Sequence, residues 1–552
     1  MADATYDAVI IGGGQHGLIL GLYLRNAGMS TVVLERQHEL GGAMCGEEIP
    51  VPGFLSNTCA HWTRYYSHPV YHDFNLRDYG LKLIFPEGGA GIIFDNGKCI
   101  VGYTAYPVVD EVTGRSEFSA KNAEKTLAEI AKFSERDAEV CRRFIEEWQQ
   151  KWQQAFWEYY WNPPEPYGVK DAIERALDKP GLIEPVHQHM YMRQLAYDLF
   201  ESDEMRVLLL RAMMGSVAQH FDAVIGIDQL LGALSLCVSL RAPSVVVGGT
   251  HAITHALQRA YVEIGGKFFI QNEVDKIIIE NGKAKGVRLT DGTVIEAKKL
   301  VVSTVDVTQT ILRFVGEEHV GHKIAHRAKN VWYGWGVLWS NLAVHEAPVY
   351  KAAEYNPDVL YCPRLYIATL DPEYLVKKYQ AECYLRGFGQ KICIWTGMDT
   401  LWDKARAPQG KHIIGVEQAS APASFFSERE WLQIKHDLIP HIVKQWSLYA
   451  PNMTLDNVIG YDTQTPLDIE RRNINMIEGC TSAGKMITSQ LGRFRPFPEL
   501  SRYKTPIENL YLGGVCTHYG IGTARSNSYN CFKIIADDFG LEKIWEKKGR
   551  AY

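Results

Sequence analysis

The stretch from Tyr6 to Glu35 constrains this chain more than any other. Asp7 to Ile11 is a short apolar run, and Gly12-Gly13-Gly14-Gln15-His16-Gly17 follows with glycines at the spacing G-x-G-x-x-G. Leu18 to Ala27 is patterned as a helix that stops at Gly28, and Thr31 to Leu34 is a second apolar run ending on Glu35. Strand, turn, helix, strand and acid in one register predict a Rossmann-like βαβ unit. The glycine hexad alone would fit a glycine-rich turn of another α/β fold. In such a unit Gly12 permits the tight turn, Gly14 lets the backbone approach a pyrophosphate, and Gly17 lets the helix pack on the strand. The helix N-terminus offers unpaired N–H groups to the anion. Glu35 can accept both hydroxyls of an adenosine ribose and disfavours a 2′-phosphate, so the dinucleotide is FAD or NAD rather than NADP.

The next residues separate those two. Glu35-Arg36 runs through Gln37-His38-Glu39-Leu40 into Gly41-Gly42-Ala43-Met44. A second glycine turn just after the acidic strand end resembles the FAD-binding flavoprotein oxidases and desaturases. The resemblance becomes more specific at Pro52-Gly53-Phe54, in the polar stretch behind it and in Tyr79-Gly80-Leu81-Lys82-Leu83. These look like the phytoene desaturase-like FAD-dependent oxidoreductases of the flavin amine oxidase superfamily. One departure is Gln15-His16, where the similar branch carries His-Asn; these positions are expected to contribute backbone N–H groups. The tail is similar as well: a strand over 509–514, a loop from Val515 to Gly522, and a helix from Ala524 to Phe539 stopped by Gly540. The resemblance implies that FAD contacts Gly12, Gly14, Gln15, His16, Gly17, Glu35, Arg36, Gly42, Ala43, Met44, Val274, Gly514, Ile521, Gly522 and Thr523. A helix N-terminus aimed at the flavin would stabilise its anionic reduced form.

The implied fold is α/β: a Rossmann-like FAD-binding domain with a glutathione reductase-type parallel sheet and an inserted β-meander, interleaved with an α+β substrate domain. A length of 552 residues suits two such interleaved domains. The expected division gives residues 1–100, 246–329 and 486–552 to FAD, and 101–245 and 330–485 to the substrate. Residues 121–242 are helical by periodicity, with Trp148, Trp152, Phe156 and Tyr159 on one face, read as a core stripe rather than a membrane-facing one. Thr250 to Ile264 is a further helix. Val274 to Glu280, Lys283 to Thr290 and Thr293 to Glu296 form a meander turning at Asn281-Gly282 and Asp291-Gly292, and Leu300 to Ser303 returns to the parallel sheet.

Several function classes are excluded. A net charge of −6 without a basic block argues against nucleic acid. No apolar run reaches the ~18 residues of a membrane span, and the first strand starts too early to leave room for a signal peptide. Eleven cysteines without a C-x-x-C pair read as reduced thiols, so a cytoplasmic protein with at most peripheral membrane contact is expected. No metal site is expected: His251 and His255 lack a third ligand, as do His187 and His189. Gly479 to Lys485 has P-loop spacing, but Met486 stands where a Ser or Thr must hold magnesium.

The expected chemistry is dehydrogenation or desaturation of an apolar terpenoid, cyclic or acyl skeleton. Alternatives are an amine oxidase, a flavin-dependent isomerase or saturase, and a non-catalytic prenyl-protein carrier of the same architecture. No second G-x-G-x-x-G stands mid-chain to seat NAD(P)H, so electrons are expected to leave to oxygen, a quinone or a carrier protein. The resemblance brings two stretches to the flavin, and their titratable members His61, His518 and Tyr519 are the catalytic candidates, with His61 the preferred base. Arg493 and Arg495 are candidates for anchoring a substrate carboxylate.

Overall fold

Residues 2–61, 63–217, 221–520 and 522–550 are described by the computed structural model, and their strands sort into two seven-stranded sheets with several small ribbons. At the centre of the first sheet lies Ala4–Ile11, parallel to Thr31–Leu34 on one side and to Val294–Ser303 on the other. Lys267–Phe269 extends it beyond Thr31–Leu34, and Leu510–Leu512 joins the far side of Val294–Ser303, both in parallel. Thr31–Leu34 is buried at every position, as a parallel strand covered on both faces must be.

The meander grows out of this sheet through one strand. The sequence pattern predicts two pieces, Thr293 to Glu296 and Leu300 to Ser303, yet Val294–Ser303 is continuous. Its first half pairs antiparallel with Lys283–Leu289, and its second half pairs with Leu510–Leu512. Nothing between Glu296 and Leu300 breaks a strand, so the partners change while the chain runs on. The Asn281-Gly282 turn has positive φ at both residues, +50° and +75°, as a two-residue type I′ hairpin requires.

In the second sheet the order is Val458–Gln464, Gly336–Val344, His412–Ser420, Cys393–Gly397, Arg364–Ala368, Gly88–Phe94 and Cys99–Tyr103. Two of these strands correct the expected division, because Gly88–Phe94 and Cys99–Tyr103 lie within residues assigned above to the nucleotide side. They pair with each other, and Gly88–Phe94 pairs in parallel with Arg364–Ala368. Helices over 120–161 and 192–237 cover this sheet's cavity side. Trp148 and Trp152 are 1% and 0% exposed, which bears out a core stripe. No helix among the described residues is long and apolar enough to cross a membrane.

Candidate functional site: a cavity between the two sheets

One cavity of about 670 Å³ runs from the first glycine turn to the second sheet. At its nucleotide end the two glycine turns touch backbone to backbone. Gly14 and Gly41 form a parallel bridge, and the Gly41 amide donates to the Gly13 carbonyl at 3.1 Å. A Cβ on Gly42, whose φ is +60°, would stand 3.1 Å from the Gly14 Cα. A Cβ on Gly17 would come within 1.9 Å of the Gly12 carbonyl oxygen, so this position serves helix packing and does not line the cavity. Gly514 behaves likewise, its Cβ position lying 2.2 Å from the Thr304 oxygen.

Glu35 lines the cavity at the end of its strand. Its Oε2 accepts the Gly13 amide at 2.7 Å and its Oε1 the Gln37 amide at 2.9 Å. A carboxylate has about four lone-pair sites, so two remain for ribose hydroxyls. Arg36, Gly12, Gly14, Gly42, Ala43, Met44, Val274, Gly522 and Thr523 line the same cavity. Ile521 lies outside the described residues. Gln15 and His16 also line it, and their side chains do more than the sequence suggests. Gln15 Nε2 donates to the Gly522 carbonyl at 3.3 Å, and His16 Nδ1 lies 3.3 Å from Ser528 Oγ. Burial pulls the His16 pKa down to about 4, so this contact is made by a neutral ring. The closing helix, Asn527–Phe539, starts three residues later than its pattern predicts and ends on Gly540 at φ +60°.

Toward the second sheet the walls turn aromatic, with Phe156, Trp157, Tyr160, Trp339, Trp395 and Tyr519. His61 lines this part and is 7% exposed. Its ring is slotted over two strands at glycines: a Cβ on Gly397 or Gly415 would come within 2.7 or 2.4 Å of it. Trp395 meets it edge-on at 4.9 Å. Its Nε2 lies 3.7 Å from Asp399 Oδ1, and neither ring nitrogen makes a hydrogen bond of normal geometry among the described residues. Burial lowers its pKa below the ordinary histidine value against the pull of Asp399, which is itself paired with Arg406.

The two other candidates fare differently. Tyr519 lines the cavity, stacked obliquely on Tyr160 at 4.6 Å, and its hydroxyl accepts from Gln229 Nε2 at 3.0 Å. Burial and the nearby Asp228 push its pKa upward, which is the wrong direction for a base. His518 does not line the cavity. It is 0% exposed, its Nε2 is 2.8 Å from the Tyr159 carbonyl, and burial lowers its pKa to about 4. It belongs to the packing of the closing loop, and its place as a catalytic candidate is corrected accordingly.

Arg493 and Arg495 are likewise committed elsewhere. Arg493 pairs with Asp171 at 3.3 Å and Glu174 at 2.7 Å. Arg495 is 1% exposed and donates to backbone carbonyls, among them Ala483 at 3.2 Å, Val515 at 3.0 Å and Thr517 at 3.1 Å. It thereby ties the P-loop-like stretch to the closing loop. That stretch follows a short helix, Pro466–Arg472, and irregular chain rather than the strand a P-loop needs. No group of three metal-ligating side chains stands together among the described residues.

Sequence reasoning missed the charged part of the wall. Arg64, Arg241, Arg364, Arg525 and Glu417 all line the cavity and come from separate stretches with no local motif. Only their convergence in space marks them.

Comparison with known proteins agrees with this geometry. Residues 17–334 match the family described as flavin containing amine oxidoreductase. The chain is 27% identical over 563 aligned positions to a limonene dehydrogenase polypeptide of Castellaniella defragrans, covering 98% of this chain and 96% of that protein. It is 25% identical to the neurosporene-forming phytoene desaturase of Rhodobacter capsulatus, covering 93% and 90%. Among solved structures, an oxidoreductase from Methanosarcina mazei superposes with a TM-score of 0.61 at 15% identity, covering 96% and 99%. A putrescine oxidase variant does so with a TM-score of 0.61 at 13% identity, covering 97% and 98%. These two likenesses speak to the fold. With the family matched over more than half its length, this chain belongs to the flavin containing amine oxidoreductases, and its cofactor is FAD.

Proposed function

We propose that this FAD-dependent oxidoreductase is a dehydrogenase or desaturase that forms a carbon–carbon double bond in a largely apolar skeleton. The observation that carries the reading is the single cavity that joins a dinucleotide cradle to an aromatic chamber holding a buried neutral histidine. In this reading the glycine turns at Gly12–Gly14 and Gly41–Gly42 seat the pyrophosphate and Glu35 holds the adenosine ribose. Gln15, His16, Ala43, Met44, Val274, Gly522 and Thr523 complete the bed. Bound FAD supplies a two-electron acceptor for a hydride leaving an sp³ carbon.

The protein's own task is then the proton. As the hydride leaves, the neighbouring carbon loses a proton, its C–H electron pair becomes the second bond, and His61 takes the proton. Its lowered pKa leaves it unprotonated at neutral pH, and Asp399 at 3.7 Å can steady the imidazolium that forms. The aromatic walls exclude water and orient the skeleton. Limonene and phytoene, named in two relatives, are both hydrocarbons, which favours such a substrate class.

Amine oxidation is the rival within the family. Against it stand the four arginines lining the chamber, which would repel an alkylammonium ion. The test is anaerobic mixing of the yellow holoenzyme with terpenoids, cyclic ketones, acyl compounds and primary amines while watching flavin absorbance. Bleaching by a saturated carbon skeleton, with recovery of the unsaturated product, is expected. Bleaching by amines alone would replace the reading.

A further inference from the structure

The inner end of the cavity carries more positive charge than its own residues neutralise. Arg64, Arg241, Arg364 and Arg525 line it, and Glu417 is the carboxylate among them. These side chains form one group. Arg241 lies over Trp157 at 4.8 Å, and Arg525 lies over Tyr519 at 5.0 Å and donates to the Tyr160 hydroxyl at 3.2 Å. Arg364 lies 5.8 Å from the Trp395 ring, which in turn faces His61. Arg64 sits within electrostatic reach of the other three, and their charge adds to burial in drawing its pKa down.

The layer behind does not cancel this charge. Asp228 stands behind Gln229, but Arg211 lies beside Glu417 and Arg364. Among the described residues, five guanidiniums thus face two carboxylates. Arg241 is the clearest case. Its Nε is buried with no hydrogen-bond partner among the described residues, and the groups that act on it most strongly are Tyr66, Tyr160, Tyr519 and Arg525, none of them a carboxylate. Guanidiniums drawn from water and set facing one another are unfavourable until an anion joins them. The phosphates of FAD do not answer the need in the proposed reading, because the glycine turns seat them.

We propose that the substrate is an apolar acid, whose carboxylate is gripped by Arg241 with Arg64, Arg364 and Arg525 while its skeleton lies against the tryptophan walls. A planar carboxylate matches the guanidinium fork and can be held by two parallel hydrogen bonds. Fixing one end of the molecule fixes which carbon pair lies beside His61. This inference rests on the dehydrogenase reading and names its substrate class.

The experiment titrates holoenzyme with terpenoid, alicyclic and long-chain carboxylic acids, each paired with its own primary amide, and follows perturbation of the flavin spectrum. At least one acid should bind ~10-fold or more tighter than its amide, with the gap narrowing as ionic strength rises. Arg241→Met should abolish the gap and Arg241→Lys should retain part of it, with FAD content checked in each. If Arg241→Met does not hold FAD, Arg64→Met takes its place. No acid preferred over its amide, or a preference that survives loss of both arginines, would overturn the proposal. The two readings fail separately. A preferred acid with no compound able to bleach the flavin would remove the dehydrogenase and leave the anion site, whereas bleaching by neutral compounds alone would do the reverse.

Discussion

At the scale of single residues, Glu35 and His61 divide the work between binding and chemistry. Glu35→Ala removes a charge-assisted hydrogen bond worth ~1.5–3 kcal/mol, so FAD should bind roughly 10- to 100-fold more weakly on reconstitution of the apoprotein. The variant also strips the acceptor from the Gly13 amide, so a lower melting temperature should accompany the loss. His61→Ala should slow substrate-driven flavin reduction by ~10²–10⁴ with FAD still bound, the range of a general base. The wild-type rate should be flat across neutral pH and fall only as pH drops below the ordinary histidine range, because the working form is unprotonated and burial lowers its pKa. Unimpaired reduction in the His61 variant would move the proton to another group, with Glu417 next in line because burial raises its pKa inside the same cavity. His61 was legible in the sequence as a histidine in a polar stretch near the flavin. Its slot between Gly397 and Gly415 was not, because those glycines stand more than 330 residues away and have no meaning until the strands pair.

At the scale of elements, the βαβ unit, the meander and the closing strand and helix were readable because each is written in local punctuation: glycines at fixed offsets, Asn-Gly turns, apolar runs of strand length. The errors fall where punctuation is absent. Val294–Ser303 changes partners without a break in its sequence, and Gly88–Phe94 belongs to the second sheet because Arg364–Ala368 arrives beside it. The packing of the first helix on its strand gives a direct test. Gly17→Ala puts a methyl group 1.9 Å from the Gly12 carbonyl oxygen, backbone against side chain with no soft neighbour to yield. A loss of stability of ~1–3 kcal/mol in urea unfolding, together with loss of FAD, is expected from such overpacking. A variant that unfolds like wild type and stays yellow would mean the helix can lift away from the turn.

At the scale of the whole molecule, the cavity is walled by both sheets and closed by contacts between the ends of the chain: Gln15 with Gly522, His16 with Ser528, and Leu510–Leu512 against Val294–Ser303. A ligand spanning these parts stabilises all of them together. Free FAD at a hundred times its Kd should add about 2.7 kcal/mol and raise the melting temperature of the apoprotein in a single cooperative transition. An apoprotein whose melting ignores FAD would contradict this linkage. The charged part of the wall illustrates what no linear pattern carries, since Arg64, Arg241, Arg364 and Arg525 become neighbours only through the fold. The sheet's strand order also sets a timetable for synthesis. Ala4–Ile11 leaves the ribosome first, but its neighbour Val294–Ser303 follows some 290 residues later and Leu510–Leu512 about 500 residues later. At ~5–20 residues per second the opening strand waits roughly 15–60 s for one edge to be covered, and the cofactor bed roughly 25–100 s for its last wall. The nascent chain therefore carries an unfinished parallel sheet through most of translation, and capture of FAD is an event of the released polypeptide.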